Sequence, residues 1–355
     1  MESKATRMET IVIKADPENF DSEILRPAAK ALAEGRLVAF PTETVYGLGA
    51  DAMNADAVKG IFKAKGRPSD NPLIVHISDI KQLDGIVSSV PEKARRLMEA
   101  YWPGPLTLIM PKNEKVPDAT TAGLSTVAVR MPRNKIALEL IRLSGVPIAA
   151  PSANLSGSPS PTCAAHVISD LSGRIDYIID GGSTRVGLES TVVDMTSDPP
   201  AVLRPGGISP EMLEKVIGPV HVVRLSEISK DTVPKSPGMK YRHYSPKAEM
   251  ILVDGEAQHV VDAINELVKK NRAKNRKTGV MASAENREKY DADVVLCPGS
   301  RNDPESVAAS IYGCLRDFDR LGVDIIFSET FPEKGIGLAI MNRLQKAAGG
   351  RIIRV

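Results

Sequence analysis

Cysteine is scarce in this chain, with three in 355 residues, at Cys163, Cys297 and Cys314, and no paired spacing among them. That excludes a disulfide framework and the usual cysteine zinc sites, and it makes a reducing, cytoplasmic home the expectation. Net charge is also small, at +2, so no bulk field demands nucleic acid or a membrane surface as partner, although a local basic groove stays open. No apolar run reaches the roughly eighteen residues of a spanning helix. The opening MESKATRMETIVIK lacks the apolar stretch of a secretion signal, so neither export nor membrane attachment is expected. GxxxxGK[ST], a full GxGxxG after a strand, HExxH and GxSxG are all absent. Without them there is no Walker loop, dinucleotide fingerprint, zinc-protease helix or nucleophile elbow, and covalent catalysis is not indicated.

The stretch Lys63 to His76, KAKGRPSDNPLIVH, is the strongest positive signal. Val58, Ile61 and Phe62 recur at helical spacing before it, and Gly66 stops that helix as a left-handed cap. Lysines in the last turn suit the negative end of the helix dipole, which accounts for Lys63 and Lys65 as well as a phosphate clamp does. Arg67 falls beyond the cap, between the helix and a turn stiffened by Pro68 and Pro72. Helix, stiff basic loop, strand is the expected order.

A length of 355 residues suggests two domains. Strands are expected at 10–14, 37–40, 73–77, 106–110, 126–131, 146–150, 176–180, 191–195 and 201–204, with helices at 22–34, 56–65, 92–101 and 136–143. Thr42, Glu43 and Thr44 crowd polar groups at a strand's carboxyl end, where α/β sheets tend to bind ligands. Gly47 and Gly49 read as places of close backbone approach. Trp102 is expected to pack. Arg130, ending TVAVR, is either solvated or aimed at a carboxylate. The loop PSANLSGSPSPT offers Ser152, Asn154, Ser156, Ser158 and Ser160, which suit a nucleoside or its phosphates as well as plain solvent. Arg204 ends another strand before a Pro-Gly-Gly turn. Periodicity lapses from about Ser226 to Pro246, where SPGMKYRHYSP sets Lys240, Tyr241, Arg242, His243 and Tyr244 between prolines; we expect a lid. From Glu249 strands and helices alternate again, as in a small parallel βα domain. Cations and hydroxyls at several strand ends match phosphoryl or nucleotidyl transfer, which needs positioning and charge stabilisation.

Taken together, Lys65-Gly66-Arg67 and Ser152-Ala153-Asn154, with PTETVYGLGADA, WPGPLTLI, STVAVRMP and LRPGGIS, resemble the threonylcarbamoyl-AMP synthases. SPGMKYRHY and the βα region after it resemble the long, two-domain form of that family. The resemblance implies an α/β chain with a twisted open mixed sheet of YrdC type at 1–218, a linker or lid at 219–248 and a smaller Rossmann-like parallel βα domain at 249–355. It implies the joining of L-threonine, bicarbonate and ATP into threonylcarbamoyl-AMP with release of pyrophosphate and with Mg²⁺ carried on the ATP phosphates. The product would pass to the tRNA threonylcarbamoyl transferase machinery. Position by position, it implies Lys65, Arg67, Ser152 and Asn154 as catalytic groups. ATP would meet Lys63, Arg67, Asn71, Thr126, Ser152, Ser160, Arg204 and Tyr241, and L-threonine would meet Thr44, His76, Arg130, the backbone at Ala150 and Ser190. Two other expectations compete: a YrdC-type binder of double-stranded RNA, which implies at least weak RNA affinity, and a carbamoyl transferase of the hydrogenase-maturation kind.

Overall fold

A computed structural model describes residues 8–224, 227, 234–237 and 244–355. The chain divides into two compact units. The first comprises Met1–Ser156, Ser160–Arg185 and Glu189–Lys240; the short segments Gly157–Pro159 and Val186–Leu188 group with Tyr241–Val355 in the second.

In the first unit the strands, in chain order, are β1 (Ile11–Lys14), β2 (Val38–Phe40), β3 (Gly47–Asp51), β4 (Ile74–His76), β5 (Leu106–Pro111), β6 (Thr126–Arg130), β7 (Ile148–Ala149), β8 (Tyr177–Asp180), β9 (Thr191–Asp194), β10 (Ala201–Arg204) and β11 (His221–Val222). They form one mixed sheet in the order β1-β8-β2-β3-β7-β4-β6-β5-β9-β10-β11. The helices are α1 (Arg26–Ala33), α2 (Ala55–Lys65), α3 (Glu92–Tyr101), α4 (Asp118–Thr121), α5 (Lys135–Ser144), α6 (Ala164–Leu171) and α7 (Pro210–Ile217). Leu32 of α1 and Leu140 of α5 close one core with Val38 and Ile148, while Ile61 of α2, Leu97 of α3 and Leu213 of α7 belong to another with Leu48 and Leu108. Parallel and antiparallel pairs are equally common in this sheet, whose strands are hydrophobic because helices cover them.

Most expected elements form within a residue or two of their forecast limits. The stretch 22–34 splits into a 3₁₀ turn, Ser22–Leu25, followed by α1, with Pro27 in the helix's first turn where its missing N–H costs nothing. The reading of Gly47 and Gly49 needs correction, since both lie inside β3. A Cβ on Gly49 would sit 2.7 Å from Ile148 and 2.8 Å from Phe40, so the glycine admits packing across the sheet rather than a ligand. Trp102 is buried, its Nε1 donating to Leu106 O at 2.8 Å. Where a linker was expected to begin, His221 and Val222 instead extend the sheet as β11 beside β10.

The second unit holds β12 (Glu249–Asp254), α8 (Ala257–Arg272), β13 (Thr278–Ser283), β14 (Val294–Gly299), α9 (Pro304–Leu321), β15 (Ile325–Glu329), α10 (Gly337–Ala347) and β16 (Ile352–Arg354). Its sheet is parallel throughout, as the alternating pattern required, in the order β14-β13-β15-β12-β16. That order differs from the 3-2-1-4-5 progression of dinucleotide-binding sheets.

Candidate functional site

Register places three polar side chains in one row: His76 on β4 pairs with Arg130 on β6, and Arg130 pairs with Thr107 on β5. Arg130 is buried and finds its carboxylate within the chain. Its Nη2 donates to Glu43 Oε1 at 2.7 Å, its Nη1 to Thr44 Oγ1 at 3.0 Å and its Nε to the Gly104 carbonyl at 3.3 Å. Thr42 and Thr44 continue the network, with hydroxyls 2.8 Å apart, and Thr42 Oγ1 donates to Val45 O at 2.7 Å. At the far side of the row, Thr107 Oγ1 lies 2.8 Å from Ser190 Oγ, which accepts from Arg204 Nη2 at 3.1 Å. Arg204 Nη1 reaches the Pro237 carbonyl at 3.3 Å, so the described part of the segment expected as a lid touches this end of the site. Burial, with Arg130 and Arg204 nearby, drives the His76 pKa down to about 3. Its imidazole is therefore neutral at physiological pH, with Nδ1 3.1 Å from Ile74 O.

A second cluster forms where α2 meets the serine-rich loop. Asn54 caps the helix start by accepting from the Asp56 and Ala57 amides, and Gly66 closes its end at φ 61°. Lys65 is thereby fixed in the last turn, buried, and turned to the loop. Its ammonium donates to the carbonyl of Ser152, to the carbonyl of Asn154 at 2.6 Å and to Asn154 Oδ1 at 3.3 Å. Ser152 Oγ in turn donates to Asn154 Oδ1 at 2.6 Å. Further along, Ser160 donates to Glu189, the residue before Ser190, so the loop's two ends meet the two clusters.

Arg67 is half-buried, stacked over Phe62 at 5.7 Å and donating to Asn71 O at 3.3 Å. Lys63 is exposed and lines, with Lys59, Phe62 and Arg67, an open groove of about 470 Å³. Asn71 is fully buried, yet neither polar atom of its side chain has a hydrogen-bond partner among the described residues. An orphaned buried amide costs roughly 1–3 kcal/mol, so it calls for a ligand atom. On the expectation that Asn71 meets ATP, Asn71→Leu should hold or raise stability while raising KM for ATP about tenfold or more. Chemical denaturation beside steady-state kinetics checks both halves, and loss of stability with KM unchanged would contradict it.

Thr126 opens β6 whereas Arg130 ends it, about 13 Å apart at the usual strand rise. Thr126 thus falls at the Asn71 end and apart from the Arg130 row. Ala150, whose amide donates to Ile74 O at 2.9 Å, stands between the two ends. Tyr241, with Lys240, Arg242 and His243, lies outside the described residues. Thr107 and Glu189 were not singled out from sequence, and Glu43 was read as a polar group at a strand end but not as the partner of Arg130. For Glu43 the signal was present, in the polar TET at a strand end; Thr107 is one residue in an apolar strand and carries none.

A family profile described as "Telomere recombination" matches residues 30–206, and one described as "Threonylcarbamoyl-AMP synthase, C-terminal domain" matches residues 208–349. Threonylcarbamoyl-AMP synthase of Pyrococcus abyssi is 53% identical over 98% of this chain and 100% of its own length. The enzyme of that name from Bacillus subtilis is 55% identical over 92% and 93%. A solved structure of P. abyssi Sua5 complexed with L-threonine matches with a TM-score of 0.93 and 52% identity, covering 98% of this chain and 100% of that one.

Proposed function

We infer the reaction from kinship: this chain belongs to the threonylcarbamoyl-AMP synthase family, matched over nearly its whole length. It is an L-threonylcarbamoyladenylate synthase, an adenylyl-transferring enzyme that makes threonylcarbamoyl-AMP for N6-threonylcarbamoyladenosine modification of tRNA. The end-to-end identity to enzymes of this activity carries the conclusion, and the buried rows of cations and hydroxyls support it.

The substrates are L-threonine, bicarbonate and ATP. Threonine's ammonium form and bicarbonate give a carbamate, water and a proton; a carbamate oxygen then attacks the α-phosphorus, the bond to the β-phosphate bridge breaks, and pyrophosphate leaves. L-Threonine occupies the row of Thr44, His76, Arg130 and Ser190, with Ala150 offering backbone. Nucleotide phosphates meet Arg67, Ser152, Asn154 and Arg204, while Lys65 holds the loop that carries Ser152 and Asn154. Lys63, Asn71, Thr126, Ser160 and Tyr241 complete the ATP contacts. Among the described residues no three His, Cys, Asp or Glu side chains converge on a metal position, and cations and hydroxyls suit phosphate rather than a bare metal ion. Mg²⁺ accordingly belongs to the proposal as the counter-ion of ATP, where it neutralises phosphate charge. Closure of the linker over Arg204 would keep water from a carbamate that readily reverts. The product passes to the tRNA threonylcarbamoyl transferase machinery in the cytoplasm. Among the described residues no helix is long and apolar enough to cross a membrane.

Mass spectrometry of the purified chain with ATP, Mg²⁺, bicarbonate and each amino acid in turn tests this. An adenylate of threonylcarbamoyl mass with threonine, and none with valine, is expected. A buried site that hydrogen-bonds a hydroxyl rejects analogues lacking one by up to about 10⁴-fold. Absence of any adenylate, or one from valine at a comparable rate, would overturn the assignment.

A further inference from the structure

We propose that Glu43 is the ammonium-binding residue of the amino-acid site and sets its preference for a zwitterion over a plain hydroxy acid. This rests on the placement of L-threonine at Arg130 and goes beyond it, because it assigns the other charged group of the substrate.

The argument counts protons. Val45 O can only accept, so Thr42 spends its single hydroxyl hydrogen there. Thr42 Oγ1 also accepts from the Thr44 and Val45 amides at 3.1 and 3.3 Å, so it has no hydrogen to offer Thr44. Thr44 Oγ1 accepts from Arg130 Nη1 and keeps a second lone pair for an incoming donor. Glu43 pairs with Arg130 and its oxygens accept: Oε1 takes Arg130 Nη2 at 2.7 Å and Oε2 takes the Arg133 amide at 3.1 Å. Both side chains of this pair are almost entirely out of solvent, at 4% exposure for Arg130 and 9% for Glu43. The guanidinium is thus flanked by a carboxylate and a hydroxyl, each able to accept from an incoming donor.

Such a set fits one arrangement of charges. Arg130 has five N–H donors and the chain engages three nitrogens once each, so N–H groups remain for a carboxylate. In an α-amino acid the ammonium sits one carbon from that carboxylate and carries donors only. Placed against Arg130, it faces Glu43 and Thr44, and its positive charge separates the substrate carboxylate from that of Glu43. A hydroxy acid would bring its carboxylate to the guanidinium that Glu43 already shares, with no second positive charge to offset the pair, and like charges at close range repel.

Calorimetric titration of the full chain with L-threonine and with its 2-hydroxy counterpart, 2,3-dihydroxybutyrate of matching configuration, tests the assignment; pyrophosphate release by the wild type with threonine tests the underlying reading separately. Wild type should prefer threonine, and Glu43→Gln should weaken threonine about 10- to 100-fold, the range for a hydrogen bond to a charged group, while leaving 2,3-dihydroxybutyrate unchanged or tighter. ATP affinity should stay within about twofold, since the hydrogen bonds of Glu43 among the described residues go to Arg130 and Arg133 rather than to the nucleotide residues. Glu43→Asp should fall between the two and serves where the glutamine variant does not fold. Equal weakening of both acids would mean that Glu43 merely braces Arg130, and it overturns the proposal, as does threonine binding unchanged in both variants. Threonine binding without turnover in the wild type would sink the reaction and leave the ammonium assignment to the titrations.

Discussion

Replacing Lys65 with methionine is expected to destabilise the first unit by about 3 kcal/mol and to slow adenylate formation about 100-fold or more. The methionine keeps most of the packed stem but donates nothing. Two loop carbonyls and the Asn154 amide oxygen then lose a cationic donor in a place largely closed to water. Each bond to a charged group contributes about 1.5–3 kcal/mol, and partial relaxation of the loop keeps the total below the simple sum. The activity loss has a separate origin, because this ammonium is one of the contacts that fix Ser152 and Asn154, and a misplacement of about 1 Å costs about 100-fold. Urea unfolding and pyrophosphate release, measured below the variant's own midpoint, separate the two. Wild-type stability in Lys65→Met would mean that the loop is held without the staple.

Arg130→Met should cost about 3–5 kcal/mol, since it strands the Glu43 carboxylate in the interior. The companion experiment is the double variant Arg130→Met with Glu43→Gln. Removing the stranded charge should restore a substantial part of that stability, because neutral side chains in place of a buried ion pair are often no worse than the pair. Threonine-dependent turnover should not return with it, as no guanidinium remains for the carboxylate. Stability measured by denaturant midpoint and turnover measured by pyrophosphate release must therefore part company. If the double variant stays as unstable as the single one, Arg130 is held mainly by packing and by Thr44 and Gly104 rather than by Glu43.

What could be read from the chain was local. The α2 terminus illustrates this: the apolar spacing of Val58, Ile61 and Phe62 and the glycine at 66 are neighbours in sequence, and the helix stops there as the pattern required, while its Asn54 cap was not read. Arg130 could be read only as solvated or paired with a carboxylate, because its partner Glu43 is 87 residues away in sequence. β3 was missed for a different reason. Its GLGAD has neither alternation nor β-branched residues, and it is a strand because its two neighbours need space that glycine leaves. The strand order was beyond reach, since β7 sits between β3 and β4 though it follows both by more than seventy residues. Among site residues, those in polar clusters or beside punctuating prolines and glycines were legible, whereas Thr107 became visible only through its register with Arg130.

The long reach of these contacts bears on how the protein is made. Lys65 waits 87 residues for Ser152, Thr44 waits 86 for Arg130, and Thr107 waits 83 for Ser190. Distant pairings form slowly because chain closure must precede any gain from contact. During synthesis the Thr44 to Arg130 contact can close first, the Lys65 staple next and the Thr107 to Arg204 row last, so a nascent chain that ends before Ser190 holds a paired arginine, a lysine-tied loop and no completed site. Assembly in chain order then makes the last strands the point at which the chain first becomes an enzyme.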